Sequence, residues 1–221
     1  MDLCNLESGV RDLEKLGVDM LHIDVIDGYF SPSMPLGLDV IRDLRKVTDM
    51  PFDVHVMAKE NQFFIDELLT FDIQRLCFHC ESEIHLDRQL NLIKKANIES
   101  GIALSPATPI SVLEYVLEKC DFVMLMLINP GFAFDEAETQ VSYMHQKIRD
   151  CRSLIEAKGL DTSIEVDGRI SIESIPDLIE AGSDILVLGS TSLFSGDKDT
   201  KNNIQKIKAA VELGEKRRYS A

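Results

Sequence analysis

The chain has 221 residues, of which 45% are hydrophobic, so it is long enough to form one substantial core. Its formal net charge of −15 and its pI near 4.7 argue against nucleic acid or an anionic membrane as the partner, because an acidic surface repels both. No apolar run reaches the roughly 20 residues that span a bilayer, and the N-terminus carries acids where a signal peptide carries bases. We therefore expect a single cytoplasmic domain over residues 1–221 with a small-molecule partner.

The chain has five cysteines, an odd number that does not suit a disulfide framework. The single C-x-x-C pattern, Cys77 to Cys80, lies in a predicted strand. Residues three apart on a strand point to opposite faces, so the two sulfurs are not expected to share a metal or to form a redox pair. We expect reduced thiols throughout.

The chain begins with a helical pattern, LCNLESGVRDLEKLG, before any strand. Seven short, apolar and often β-branched segments then predict strands at residues 19–24, 52–57, 75–80, 101–105, 122–128, 163–167 and 184–189. Helical periodicity occurs between and after them, for example at residues 38–47, 85–96, 111–120, 135–157 and 203–214. This alternation of seven strands and eight helices predicts an α/β fold, a (β/α)8 TIM barrel whose first strand is missing from the N-terminus of this chain.

Polar side chains occur at the C-terminal ends of three predicted strands, where parallel barrels place their reactive groups. His22 and Asp24 lie two apart and so face the same side of one strand, His55 is near the end of the second, and Asp167 ends the sixth. Two imidazoles and two carboxylates are a suitable ligand set for one divalent ion, which could be Zn, Mn, Fe or Co.

A metal ion at such a site can polarise a ketone and a neighbouring hydroxyl, which makes the proton on the carbon between them easier to remove. Epimerisation through the resulting enediolate needs a base on one face and an acid on the other, and two carboxylates from distant strands can provide them. The predicted acid/base pair is Asp24 and Asp167.

The loops after the last two strands form a second predicted feature, because barrels often bind phosphate there on backbone N–H groups. Gly168 and Arg169 follow one strand, and Gly189, Ser190 and Thr191 follow the next. Glycine permits close backbone approach, whereas hydroxyl and guanidinium groups donate further hydrogen bonds. These loops predict a phosphorylated substrate.

The segments LHIDVIDGYFSPSMPLG, PFDVHVM, GIALSPATPISVLEYVLEKCD, MLINPGF and IEVDGRI together resemble the ribulose-phosphate 3-epimerase family, in one order along nearly the whole chain. The resemblance implies a (β/α)8 barrel that interconverts ribulose 5-phosphate and xylulose 5-phosphate. It implies metal ligation by His22, Asp24, His55 and Asp167, with Asp24 and Asp167 as acid and base. Family members commonly associate, so a homo-oligomer is possible.

The predicted substrate-binding residues are Met57, Met126, Gly131, Gly168, Arg169, Gly189 and Ser190. His79 and Asp27 also match family positions. The family usually has glycines where this chain has Ala133, Phe134 and Arg169. The endings EVDGRIS and GSTSLF resemble allulose-6-phosphate 3-epimerases, which act on a ketohexose, so the length of the ketose phosphate stays open.

Two rival functions remain at the level of sequence. A decarboxylase or aldolase of the same phosphate-binding barrels would show an Asp-x-Lys-x-x-Asp motif, and the segment from Asp53 to His55 lacks its lysine. A non-catalytic sugar-phosphate binding protein, suggested by the missing first strand and the altered phosphate loops, would need neither a metal ion nor proton exchange at C3. We therefore expect an enzyme, a ketose-phosphate 3-epimerase.

Overall fold

The computed structural model describes residues 2–196 and 199–220, and its framework is one parallel β-sheet. The seven strands follow the order β1-β2-β3-β4-β5-β6-β7. Their bounds are β1 Leu21–Ile26, β2 Phe52–Met57, β3 Arg75–His79, β4 Glu99–Leu104, β5 Phe122–Met126, β6 Ser163–Asp167 and β7 Ile185–Leu186. Each strand therefore pairs with its sequence neighbour.

Seven α-helices alternate with these strands in the part of the chain that is described. Their bounds are α1 Leu6–Leu16, α2 Leu38–Leu44, α3 Asn61–Leu68, α4 Leu86–Lys95, α5 Met144–Ala157, α6 Ile175–Ala181 and α7 Thr200–Ser220. Helix α1 buries Val10 and Leu13. It is capped by Gly17, which has a left-handed backbone conformation and donates its N–H to the carbonyls of Glu14 and Leu13. No helix within residues 2–196 and 199–220 is both long and apolar enough to cross a membrane.

The unbroken strand order explains why the sheet curls into a barrel. Parallel strands that are added in one direction by right-handed crossovers place all their helices on one face, so the other face closes on itself. The sheet has no reversal of order, which a doubly wound fold would require. No described pairing joins β7 to β1, so the structure is a curled (β/α) barrel with one strand missing. The predicted fold class is confirmed.

Two apolar layers stabilise this arrangement. The larger lies between the strands and the surrounding helices and contains most of the buried aliphatic side chains. The smaller fills the barrel interior with Cys77, Ala103, Phe122, Met124 and Met126. Because alternate residues of a strand face opposite sides, the same strands supply both layers. All five cysteines are free, as the sequence predicts.

Two predicted helices differ from the structure. Residues 111–120 form two short 3₁₀ helices, Ile110–Leu113 and Leu117–Lys119, where Leu113 and Leu117 are buried as the apolar pattern requires. Branched residues at 110, 112 and 116 disfavour a longer α-helix. Helix α5 begins at Met144 and not at Asp135, because Asp135 and Glu138 accept hydrogen bonds from backbone N–H groups of their own loop.

Candidate active site

Four of the predicted site residues meet at the C-terminal end of the barrel. Asp24 of β1 is paired in register with His55 of β2, and one ligand atom each from His22, Asp24, His55 and Asp167 lies within 4.8 Å of the others. The two imidazole rings of His22 and His55 are 5.7 Å apart between centroids. Parallel strands end at one edge of the sheet, so these residues, which are distant in sequence, come together as predicted.

The unpaired atoms of this cluster show that it suits a metal ion. Nε2 of His22, Oδ1 of Asp24 and Nδ1 of His55 are buried, and none has a hydrogen-bond partner among the described residues. Oδ1 of Asp24 lies 3.4 Å from Nε2 of His22 and 3.3 Å from Nδ1 of His55. Buried polar atoms that lack partners are costly, and a divalent ion satisfies nitrogen and oxygen ligands together. The donor set therefore fits the ion that the sequence predicts.

The two aspartates of the cluster have opposite proton affinities. Burial, with the negative charge of Asp24 adding to it, raises the pKa of Asp167 to about 7. Burial opposes ionisation of Asp24 as well, but the neighbouring imidazoles of His22 and His55 outweigh it and hold its pKa well below the usual value. Burial also lowers the pKa of His55 to about 4, which keeps that imidazole neutral. One carboxyl thus holds a proton near neutral pH while the other is ionised.

A buried charged layer lies directly beneath the cluster. Nδ1 of His22 contacts Oδ2 of Asp53 at 2.6 Å and lies 3.6 Å from Oε1 of Glu165. The guanidinium of Arg75 is 3.1 Å from Oε2 of Glu165 and stacks over the Phe122 ring at 3.8 Å. His22, Asp53 and Glu165 could by composition also hold a metal ion, but the Arg75 cation already supplies the positive charge there. The layer therefore holds His22 from below and directs its Nε2 to the cluster.

The comparisons with known proteins agree with this geometry. The model of the family described as "Ribulose-phosphate 3 epimerase family" matches residues 1–194. The chain belongs to the ribulose-phosphate 3-epimerase family. It is 37% identical over 210 residues to the ribulose-phosphate 3-epimerase of Bacillus subtilis (strain 168), covering 95% of this chain and 94% of the relative. It is 39% identical over 212 residues to the chloroplastic enzyme of Arabidopsis thaliana, covering 95% and 73%.

Solved structures support the barrel independently of the ribulose-phosphate 3-epimerase family. A 3-hexulose-6-phosphate synthase from Salmonella typhimurium matches with a TM-score of 0.63 and 14% identity over 93% of both chains. A mutant tryptophan synthase alpha-subunit from Pyrococcus furiosus matches with a TM-score of 0.64 and 12% identity over 96% of this chain and 94% of that one. Identities this low show the fold alone. Family membership makes the protein an isomerase, a sugar-phosphate epimerase.

The first predicted phosphate loop of this ribulose-phosphate 3-epimerase family member directly follows Asp167 of the cluster. Gly168 directly follows Asp167 with φ +124°, and a Cβ there would lie 2.8 Å from Cγ1 of Ile128, so the position requires glycine. Arg169 also has a positive φ, of 49°, and its guanidinium donates to the carbonyls of Ala133 and Asp135. Arg169 therefore ties the loop after β6 to the loop after β5, a contact that the sequence did not predict.

The remaining predicted substrate residues occupy the ends of three strands. Met57 and Met126 end β2 and β5 and are buried, and Gly131 lies in the turn after β5 with φ +83°. Gly189 and exposed Ser190 follow β7, where the Gly189 carbonyl accepts from Phe194 N at 3.0 Å. Met57 and Met126 thus lie at the ends of strands and the other three in the loops that follow strands, and the roles of all five toward substrate stay predictions.

Sequence reasoning missed the charged layer, although a simple signal was present. Asp53 lies two residues before His55, and Glu165 lies two residues before Asp167. Because side chains alternate along a strand, each acid faces the barrel interior one layer below a predicted metal ligand. Arg75 lies two residues before Cys77, which faces the barrel interior, so Arg75 faces the interior as well. Counting back along each strand would have found all three.

Removing the Arg75 cation should destabilise the barrel strongly. Arg75→Met removes one of the two cationic neighbours of the buried Asp53 carboxylate and leaves Oε2 of Glu165 without its partner at 3.1 Å, a loss that typically costs about 3 to 5 kcal/mol. Urea unfolding of the two proteins measures the difference. Glu99→Gln is the control, because it removes only the partner at Nε of Arg75, and its side chain is 61% exposed. We expect less than about 1 kcal/mol for the control. Equal losses would contradict the assignment of the stabilisation to the buried side of Arg75.

Asp167 should make the stability of the metal-free protein fall with rising pH. Its carboxyl has a pKa of about 7 in the folded protein against the ordinary 3.8, so the folded state binds more protons between these values and loses stability as pH rises. Asparagine does not titrate. The melting temperature of Asp167→Asn should therefore exceed that of wild type by a margin that grows from about pH 4 to about pH 7. A constant margin over this range would contradict the raised pKa. Asp161→Asn, at an exposed site before β6, should follow wild type.

Proposed function

We propose that this protein catalyses the metal-dependent epimerisation at C3 of a ketose phosphate, interconverting ribulose 5-phosphate and xylulose 5-phosphate. The observation that carries the proposal is the convergence of His22, Asp24, His55 and Asp167, with three buried ligand atoms that have no hydrogen-bond partner within residues 2–196 and 199–220. The relatives from Bacillus subtilis and Arabidopsis thaliana, which carry the name of this activity, support the choice of substrate.

Asp24 and Asp167 would divide the proton transfer between them. In the metal-free protein Asp24 has a low pKa and Asp167 a pKa of about 7, so Asp24 would be the carboxylate that accepts the C3 proton and Asp167 the group that donates one. The two residues come from β1 and β6, which are not neighbours in the sheet, and in this proposal they would approach a planar enediolate from different sides. In the reverse reaction the roles exchange.

The metal ligands would be His22, Asp24, His55 and Asp167, and zinc, manganese, iron or cobalt fits two nitrogen and two oxygen donors. A bound divalent ion would polarise the ketone and the neighbouring hydroxyl of the substrate. The neutral imidazole of His55 and the contact of His22 with Asp53 keep both rings oriented toward that position.

Substrate binding would use the loops after β6 and β7. Backbone N–H groups at Gly168 and Gly189 and the hydroxyl of Ser190 would hold the phosphate, as the loop positions favour. Met57, Met126 and Gly131 would line the pocket around the carbon chain. Arg169 would act on the substrate through the loop that it holds, because its guanidinium donates to the carbonyls of Ala133 and Asp135.

An allulose-6-phosphate 3-epimerase is the second candidate, favoured by the segments EVDGRIS and GSTSLF, which resemble those enzymes. The chemistry is the same, and the substrate has one more carbon. A direct comparison of kcat/KM for ribulose 5-phosphate and allulose 6-phosphate separates the two. A ratio above one for the pentulose supports the first candidate, and a ratio below one supports the second.

The enzyme function as a whole is tested by deuterium exchange. We expect purified protein that contains a stoichiometric divalent metal to exchange the C3 proton of one of these ketose phosphates with deuterated water, followed by NMR. If the protein holds no metal and exchanges no C3 proton, the non-catalytic sugar-phosphate binding function replaces the proposal.

A further inference from the structure

A buried chain of hydrogen bonds extends from the metal cluster to the mouth of the barrel. Nε2 of His55 lies 3.0 Å from Nε2 of His79, and Nδ1 of His79 lies 2.9 Å from Oε2 of Glu81. Both imidazoles are fully buried, at 0% exposure, whereas the Glu81 side chain is 27% exposed. Oγ of Ser105 is also near Nδ1 of His79, at a longer 3.4 Å. Glu81 is thus the nearest polar partner at the outer end of the chain.

Glu81 is itself fixed by donors from the loop after β4. Its Oε1 accepts a hydrogen bond from the backbone N–H of Ser105 at 2.7 Å and another from the hydroxyl of Thr108. Lys147 holds this loop, because its ammonium donates to the carbonyls of Ser105 at 2.7 Å and Pro106 at 2.9 Å. With Oε1 occupied by two donors, the free oxygen Oε2 faces His79 and can only accept.

The direction of each hydrogen bond follows from this acceptor. Nδ1 of His79 carries the proton that Oε2 of Glu81 accepts, so Nε2 of a neutral His79 is an acceptor. Nε2 of His55 must then carry a proton, which leaves Nδ1 of His55 with a bare lone pair. That nitrogen is one of the buried atoms without a partner and lies 3.3 Å from Oδ1 of Asp24. A metal ligand needs the same unprotonated nitrogen.

We propose that Glu81 is a positioning residue that, through His79, fixes the tautomer of His55 and so keeps its Nδ1 free to bind the metal ion. The proposal rests on the metal site of the proposed function. A consequence is that metal affinity depends on the Glu81 carboxylate at the barrel mouth, which two hydrogen bonds connect to His55.

Glu81→Gln tests this relay with a side chain of the same shape. The backbone N–H of Ser105 requires an acceptor, so the amide oxygen of the introduced side chain would face Ser105. The NH₂ group would then face His79 and donate a hydrogen bond to its Nδ1. The two tautomers then reverse, and Nδ1 of His55 becomes protonated. We expect the affinity for Zn²⁺, measured by titration calorimetry without substrate, to fall by about 10- to 100-fold. The metal-loaded variant should also show a lower kcat.

Glu83→Gln is the matched control. It removes the same charge two residues further along, where Oε1 of Glu83 accepts a hydrogen bond from the backbone N–H of His85 at 2.7 Å. We expect wild-type affinity for Zn²⁺ in this variant. Wild-type affinity in Glu81→Gln, or an equal loss in both variants, would overturn the relay. Failure of wild type to bind Zn²⁺ would instead contradict the proposed function itself.

A second measurement does not depend on the variant folding. Long-range ¹H–¹⁵N NMR of the Zn²⁺-loaded wild type reports which ring nitrogen of each histidine carries a proton. The relay requires protonation at Nε2 of His55 and at Nδ1 of His79. A proton at Nε2 of His79 would overturn it, whatever the activity of the protein.

Discussion

Asp167→Asn is expected to lower kcat by about 1,000-fold, because an amide neither donates nor accepts the proton that the enediolate mechanism requires. Asparagine has the shape of aspartic acid, and burial raises the pKa of Asp167 in the metal-free protein to about 7, so the position already accommodates a neutral side chain. The substitution therefore leaves packing unchanged, and the circular dichroism spectrum should match that of wild type. Steady-state turnover of the preferred ketose phosphate measures the effect at saturating metal.

The control for this prediction is Asp161→Asn. Asp161 is exposed and lies just before β6, at the opposite end of the strand that Asp167 ends. It has the same charge but is distant from the cluster, so kcat should not change. Turnover near the wild-type value in Asp167→Asn would remove Asp167 from the acid/base pair.

Asp24→Asn should remove metal binding and proton transfer together. Oδ1 of Asp24 lies between the imidazoles of His22 and His55, which stabilise its negative charge. An amide oxygen is a weaker ligand and does not act as a base. We expect kcat to fall by about 1,000-fold or more and the affinity for Zn²⁺ to fall by at least about tenfold.

Separating the two losses requires two measurements on the same protein. Titration calorimetry with Zn²⁺ gives the affinity, and turnover at saturating Zn²⁺ gives the proton-transfer loss alone. Asp19→Asn, at an exposed site just before β1, is the matched control and should behave as wild type in both. Unchanged affinity in Asp24→Asn would remove Asp24 from the ligand set, and full turnover at saturating metal would remove it from proton transfer.

Arg169 shows that a sequence pattern gives the position of a residue but not the contacts of its side chain. A cation after β6 in a barrel suggests phosphate binding, and that was the prediction. One guanidinium nitrogen, Nη2, donates to two backbone carbonyls of the loop after β5, at 3.1 Å for Ala133 and 2.6 Å for Asp135, and the role of Arg169 toward phosphate stays a prediction. Spacing along the chain gives the position of a long side chain only at its Cα, whereas its head group reaches whichever acceptor the fold presents.

The convergence of the candidate metal ligands was predictable because of a regular geometric rule. Strands of a parallel barrel end at one edge, so polar residues that end apolar strands converge even when they lie more than a hundred residues apart, as Asp24 and Asp167 do. The relay through Glu81 follows no such rule. Glu81 lies in a 3₁₀ turn after β3, and its partners Ser105 and Thr108 belong to the loop after β4. Only the folded chain brings these three together.

By itself, the sequence determined the βα alternation, the barrel class, the family and the four residues of the metal cluster, because each depends on strand period or strand order. The tertiary structure alone decided the buried partners of His22, the direction of the hydrogen bonds behind His55 and the loop contact of Arg169. Those features depend on distances between side chains of different elements, which no local pattern encodes. It also decided that residues 111–120 form 3₁₀ turns, because these turns bury Leu113 and Leu117 without a full α-helix.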